Sequence, residues 1–222
     1  MNRKKNRQNT RNSKQVSQSK SKRSTKNVLG VHSSQGQVRV IGGDWRGRKL
    51  PVLVSEGLRP TSDRVRETIF NWFQFDVPGA RCLDLFAGTG ALGLEALSRG
   101  AAFVQFVEFS PKVASQLEQN LHTLNVSGER VNMLQADALD WLEQPIAKAF
   151  DLVFLDPPFH KDFLPLILQK LFENGYVDSK SILYLEQEKS QELPSLPAGW
   201  EIQKEKTTSQ VRYGYFVCKA SD

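Results

Sequence analysis

From about residue 80 onward, short apolar runs alternate with amphipathic stretches. "RCLDLFA" is an apolar run closed by "GTG", and "ALGLEALSRGA" behind it carries a helical face from Leu92, Ala96 and Leu97. "AFVQFVEF" reads as a second strand. "SPKVASQLEQNLHTLN" reads as a helix, with Ser110 as its cap and Pro111 at its first position. "RVNMLQAD" is a third strand, "ALDWLEQ" a short helix, and "FDLVFLD" a fourth strand with the near-continuous apolarity of a strand buried on both faces. "DFLPLILQKLFENG" is a helix ending at glycine, and "SILYLEQE" is a fifth strand. "WEIQKEKTTSQVRYGYFVCK" holds two alternating segments about a polar break, a closing hairpin. This rhythm predicts an α/β protein with an open, mostly parallel sheet and helices on both faces.

Upstream the pattern differs. Val38 and Val40, then Leu50, Val52 and Val54, read as two short strands, with turns at Gly42-Gly43 and Gly47. From Thr61 the spacing predicts a helix with Val65, Ile69, Trp72 and Phe73 on one face. Residues 1–37 have almost no large apolar groups and are expected to be a disordered arm. The expected organisation is therefore an arm over 1–37, a hairpin and helix extension over 38–78, and a catalytic domain over 79–222.

Charge sharpens that division. The chain has 222 residues and a formal net charge of +6. Residues 1–37 hold ten Lys or Arg and no acid, so of the 30 basic residues 20 remain against 24 acids, and the rest of the chain is net −4. A basic arm is attracted to polyanions such as RNA; equally, it can be a mere solubilising tail. Between residues 39 and 66 seven bases face three acids, with Trp45 available for stacking and Arg64 and Arg66 flanking the helical stripe. That makes a candidate phosphate-facing surface, RNA-facing in the extension as a whole, although a solvated hairpin face would look the same. No apolar run is long enough to span a membrane, and no secretory leader is evident, so a cytoplasmic protein is expected. Cys82 and Cys218 lie in apolar runs without metal-ligand spacing and read as buried free thiols. His32, His122 and His160 form no zinc pattern, and no metal is expected.

In a sheet of this kind, ligands bind outside the carboxyl ends of the strands, where strand order reverses. The first strand ends in "DLFAGTGALG", with G-x-G-x-x-G between strand and helix, a pattern shared with nicotinamide and flavin enzymes. Glu108, closing the second strand, suits two ribose hydroxyls. Asp137, closing the third, suits an adenine amino group, though each acid alone is more often a helix cap or turn residue, Asp137 especially. The fourth strand ends in "DPPF". If the first and fourth strands are neighbours, Asp156 emerges beside Gly88. Pro157 and Pro158 then stiffen the bend so that the Asp156 carboxylate and the Pro157 carbonyl accept from one exocyclic amine, with Phe159 offering a ring to a flat base.

"DLFAGTGALGLEALSRGA" and "DPPF", preceded by "RVIGGDWRGRKLPV" and "GLRPTSDRVRETIFNW", resemble the RsmD family of bacterial 16S ribosomal RNA guanine-N2 methyltransferases, over roughly Gln37 to Cys218. The resemblance implies a Rossmann-like S-adenosylmethionine-dependent methyltransferase fold, with a seven-stranded sheet and the N-terminal hairpin and helix as an extension. It places Gly88 and Gly90 at the methionine end of S-adenosylmethionine, with Asp84 and Phe86 beside them, Glu108 at the ribose and Asp137 at the adenine. Asp156, Pro157 and Phe159 would be the catalytic loop. Arg46, Arg48, Lys49 and Arg59 would hold RNA phosphates. The implied partner is 16S ribosomal RNA, in the small subunit or an assembly intermediate, acted on by a monomer. Alternatives are an adenine-N6 methyltransferase of DNA or RNA, for which no target-recognition domain is visible, a non-catalytic RNA-binding protein, and a nicotinamide oxidoreductase. The long basic arm is where the chain departs from the family.

Overall fold

The computed structural model describes residues 35–53, 61–158 and 164–219. The basic arm up to residue 34, Val54, Arg59 and Phe159 lie outside the described residues. Each strand expected from Arg81 onward is present: β3 (Arg81–Asp84), β4 (Phe103–Glu108), β5 (Val131–Gln135), β6 (Leu152–Leu155), β7 (Ile182–Glu188), β8 (Trp200–Thr207) and β9 (Val211–Cys218). They form one seven-stranded sheet in the order β5-β4-β3-β6-β7-β9-β8. β3 to β7 run parallel, and β9 lies antiparallel between β7 and β8. Because β3 is flanked by β4 on one side and β6 on the other, strand order reverses beside it.

The central strands β3, β4, β6 and β7 are buried on both faces, which explains why β6 shows no alternation in sequence. One face carries Cys82, Val104, Phe106, Phe154 and Tyr184 and is covered by α1 (Asp63–Trp72), α2 (Ala91–Ser98) and α3 (Pro111–Thr123). The other carries Leu83, Val107, Val153, Leu155 and Leu185 and is covered by α4 (Ala138–Trp141) and α5 (Leu164–Glu173). α1 begins where Ser62 accepts from the Val65 amide at 3.3 Å. It buries Val65, Ile69 and Phe70, followed by Phe73, while Trp72 is half-buried and stacks on Tyr213. Cys82 is a buried free thiol as expected, whereas Cys218 is only half-buried.

Upstream, β1 (Gln35–Arg39) and β2 (Lys49–Leu53) pair antiparallel, so β1 starts three residues inside the stretch expected to be arm. Val38, Val40, Leu50 and Val52 are buried in the same cluster as Phe106 and Leu117. The Asn120 side chain donates to the Pro51 carbonyl at 2.9 Å, fastening β2 to α3. The turn between the strands docks on α2. Glu95 accepts from the amides of Ile41 (2.7 Å) and Gly42 (2.8 Å), and the Ser98 hydroxyl donates to the Gly42 carbonyl at 2.6 Å. Gly43 has φ +73°, and a Cβ there would sit 1.8 Å from the Ser98 carbonyl oxygen, so backbone meets backbone.

The charges beneath this joint pair with one another, although Arg66 Nε is buried without a hydrogen-bond partner among the described residues. Buried Glu95 pairs with Arg99 at 2.7 Å and faces buried Arg66 at 3.7 Å; Arg66 reaches Asp63 at 2.6 Å, which in turn accepts from Arg39 at 2.8 Å. Arg66, counted in the sequence among phosphate-facing bases, is therefore an internal ion-pair partner. Removing Glu95 alone would leave it buried and under-compensated.

Candidate active site

A cavity of about 700 Å3 opens at the carboxyl ends of β3, β4, β5 and β6, where strand order reverses. Asp84, Phe86 and Gly88 from the first loop line it, as do Glu108, Asp137, Asp156 and Pro157. Of the described residues expected to hold cofactor or base, all but Gly90 therefore converge there.

The glycine loop turns because Gly88 (φ +51°) and Gly90 (φ +76°) adopt left-handed backbone. The Gly90 amide donates to the Ala87 carbonyl at 2.7 Å, and α2 starts immediately after. Gly90 does not line the cavity. A Cβ at that position would meet Leu117 at 2.4 Å and Leu94 at 3.1 Å, so its lack of a side chain serves the turn and the packing of α2 on α3. Gly93 likewise leaves room for the Phe106 ring, which a Cβ would meet at 2.2 Å.

Two carboxylates brace the loop from below. Glu108 accepts from the Gly88 amide at 2.8 Å with one oxygen and from the Ser110 amide at 2.7 Å with the other. Each oxygen retains acceptor capacity for a hydroxyl. Asp84 is buried and accepts from the Gly93 amide at 2.9 Å. Burial pushes its carboxyl up to about 7, with the Glu108 charge adding to the effect and the Gly93 amide opposing it. Asp137 caps α4, both bonds falling on Oδ1, from Leu139 at 2.8 Å and Asp140 at 3.4 Å. Its capping role and its place on the cavity wall coexist. Phe109, 70% exposed, adds a ring at the cavity edge next to Glu108.

At the other end, β6 delivers Asp156, whose Oδ2 accepts from the Thr61 hydroxyl at 3.2 Å. Pro157 is buried and Pro158 exposed. Thr61 and Ser62, at the start of α1, Glu186 from β7, and the β8–β9 turn at Thr208–Val211 complete the wall. None of these was singled out in the sequence. Their signal was topological: Thr61 and Ser62 precede an amphipathic helix, Tyr184 and Glu186 share a strand face, and the polar break sits between two closing strands.

The basic residues of the hairpin lie elsewhere. Arg46, Arg48 and Lys49 are exposed, but Arg48 donates to the Thr123 carbonyl at the C-terminal end of α3, and the neighbouring turn docks on Ser98 at the C-terminal end of α2. The cavity is at the opposite ends of those helices; α3, with 13 residues, is roughly 20 Å long. Trp45 is half-buried against the core, with its amide donating to Ser98, so it is not a free stacking platform. Arg64, exposed on the first turn of α1 beside Ser62, is a basic residue near the cavity mouth.

The family described as conserved hypothetical protein 95 matches residues 38–217. The ribosomal RNA small subunit methyltransferase D of Haemophilus influenzae is 49% identical over 182 residues, 82% of this chain and 94% of that one. The chain belongs to the RsmD family. Among solved structures, yhhF from Escherichia coli superposes with a TM-score of 0.76 at 44% identity, covering 84% of this chain and all (100%) of that one. The M. jannaschii tRNA m1G37 methyltransferase, at 13% identity and a TM-score of 0.56, covers 87% of this chain and 59% of that one, and shares the fold alone. The expected Rossmann-like methyltransferase fold is thus the observed one, and the chain is a methyltransferase by family.

Proposed function

We propose that this protein methylates the exocyclic N2 of a guanine in small-subunit ribosomal RNA, with S-adenosylmethionine as donor. Methyl transfer from that donor follows from the family and the fold; ribosomal RNA comes from the relatives' names, and the base and atom rest on the site. The observation that carries the reading is the pairing of β3 with β6, which sets Asp156 and Pro157 in one cavity with the glycine loop.

The described residues fit the donor. Gly88 and Phe86 would face its methionine portion, with Asp84 beneath; Glu108 would accept from ribose hydroxyls, and Asp137 and Phe109 would flank the adenine. The donor supplies an electrophilic methyl on a sulfonium. What the chain must add is a guanine amine held in line with it, because the lone pair of that amine is delocalised into the ring. The Asp156 carboxylate and the Pro157 carbonyl, as acceptors, fix the two amine hydrogens and favour pyramidalisation at nitrogen. Asp156 then favours the positive charge developing there and takes up the proton that the amine sheds as it is methylated. Positioning of this kind supplies on the order of 7 to 11 kcal/mol of a bimolecular barrier. Thr61 holds Asp156 in place from the extension, which makes the extension part of the site. The base must leave its stack to enter. Phe159, outside the described residues, is proposed as its platform, and Arg59, also outside them, as a phosphate contact, with Arg64 closer than Arg46, Arg48 and Lys49, which would lie further along the RNA.

Mapping methylated guanines in small-subunit RNA from cells with and without the protein tests this reading. A single guanine should lose its N2 methyl in the deletion and regain it on incubation with protein and donor. Methyl lost from an adenine N6 would overturn the assignment.

A further inference from the structure

The base-facing half of the cavity holds a second carboxylate. In the parallel pairing of β6 with β7, Leu155 is opposite Leu185, and the next residues, Asp156 just past the end of β6 and Glu186 on β7, continue from that last pair. Strands in a sheet lie about 4.8 Å apart, and residues at equal register share a face. Here that face is the one bearing Phe154 and Tyr184, under α1. Glu186 is 5% exposed, and both acids line the cavity. A buried carboxylate on a cavity wall is costly unless it is held, and the Tyr184 hydroxyl donates to its Oε2 at 2.8 Å. Burial first, then the charges of Glu186 and Asp156, push that hydroxyl well above its ordinary range, which keeps it a donor at working pH.

Resting on the guanine-N2 reading, we infer that Glu186 is the specificity-determining residue that accepts the N1–H of the target base. Guanine shows two adjacent donors on its Watson–Crick edge, N1–H and the N2 amine. Adenine shows a bare N1 acceptor beside its N6 amine. One acceptor loop built around Asp156 serves either amine, but a second acceptor one strand away pairs with guanine and repels the adenine edge. An acceptor on N1–H also pushes electron density toward N2, so the contact that selects the base makes its amine a better nucleophile. The Tyr184 hydroxyl fixes the carboxylate, leaving its rotamer little freedom.

The test uses the full chain and small-subunit RNA in which the target guanine is replaced, by ligation of a synthetic oligonucleotide, with 2,6-diaminopurine. That base keeps the N2 amine and exchanges the N1 donor for an acceptor. The wild type should favour guanine by roughly 100-fold in kcat/KM. Glu186→Gln, whose amide can donate to N1, should reduce that preference by about tenfold or more, with donor binding unchanged. Tyr184→Phe, which removes the hydroxyl donating to the carboxylate and leaves the carboxylate in place, should relax the preference in the same direction and answers the question if Glu186→Gln does not fold. An equal loss on both bases, with the ratio preserved, would make Glu186 a structural support and overturn the inference. No methylation at guanine N2 by the wild type would instead overturn the function on which the inference rests, and the wild-type arm alone shows it.

Discussion

Alanine at Asp156 is expected to abolish methyl transfer while donor binding, measured by calorimetry, stays near wild type, because the residues proposed for ribose and adenine come from other strands. Asparagine should be milder, since its amide oxygen still accepts a hydrogen bond. Near-normal turnover by Asp156→Ala on ribosomal RNA would refute the mechanism. Thr61→Val removes one bond to a charged group and should lower kcat roughly 10- to 100-fold with little change in donor affinity, whereas Thr61→Ser should restore it. Asp84 adds a pH dependence. Its carboxyl is raised from 3.8 to about 7 in the folded protein. Between those values the native state holds a proton that the unfolded chain has lost, so the contribution of Asp84 to stability is full below about 4 and falls as pH rises through about 7. A bound cationic donor favours the ionised form, so donor affinity should rise with pH up to about 7 and binding should release a proton. Calorimetry in two buffers of different ionisation enthalpy reads that proton, and identical heats would contradict the assignment. At this scale the sequence reached only residues whose motif is local. Asp84, Glu108 and Asp156 each end an apolar run, whereas Glu186 and Thr61 acquire their place from neighbours 30 and 95 positions away in the chain.

Elements were legible wherever burial repeats at short range. β3 to β7 follow from apolar runs, and β8 with β9 from alternation about a polar break. The purpose of the glycines was not, because a φ above zero looks the same in sequence whether a ligand or a side chain crowds the position. Gly43 and Gly47 separate the two causes. Both have positive φ, +73° and +81°, but a Cβ at Gly43 strikes the Ser98 carbonyl, while nothing lies within 4 Å of one at Gly47. Gly47→Ala should cost about 1 to 2 kcal/mol for its left-handed backbone alone. Gly43→Ala must in addition lift the turn off α2, and its thermal midpoint should fall roughly 5 to 10 °C further. Equal shifts for the two variants would mean that the turn is not seated on α2 as described. Arg66 taught the opposite lesson: its charge suggested solvent, and only the meeting of α1 with α2 reveals Glu95 as its partner.

At the scale of the whole molecule, the ten basic residues before Gln35 outweigh a remainder of net −4, so that remainder offers polyanions little general attraction. Deleting residues 1–34 spares β1 and should leave thermal stability and donor binding intact, while RNA affinity falls and its dependence on salt becomes shallower. An unchanged salt slope would show that the arm does not engage phosphates. The docking of β1 and β2 on α3 has a further consequence, for birth rather than catalysis. The apolar face of Val38, Val40, Leu50 and Val52 is made early, but Asn120 and Leu121, against which it closes, lie some 70 residues behind Leu53 in the chain. At a synthesis rate of about 5 to 20 residues per second, that face waits roughly 4 to 14 seconds without its cover. The hairpin thus spends seconds of its synthesis with an apolar face uncovered, and variants that weaken its seat on α3 should lower the soluble fraction during expression.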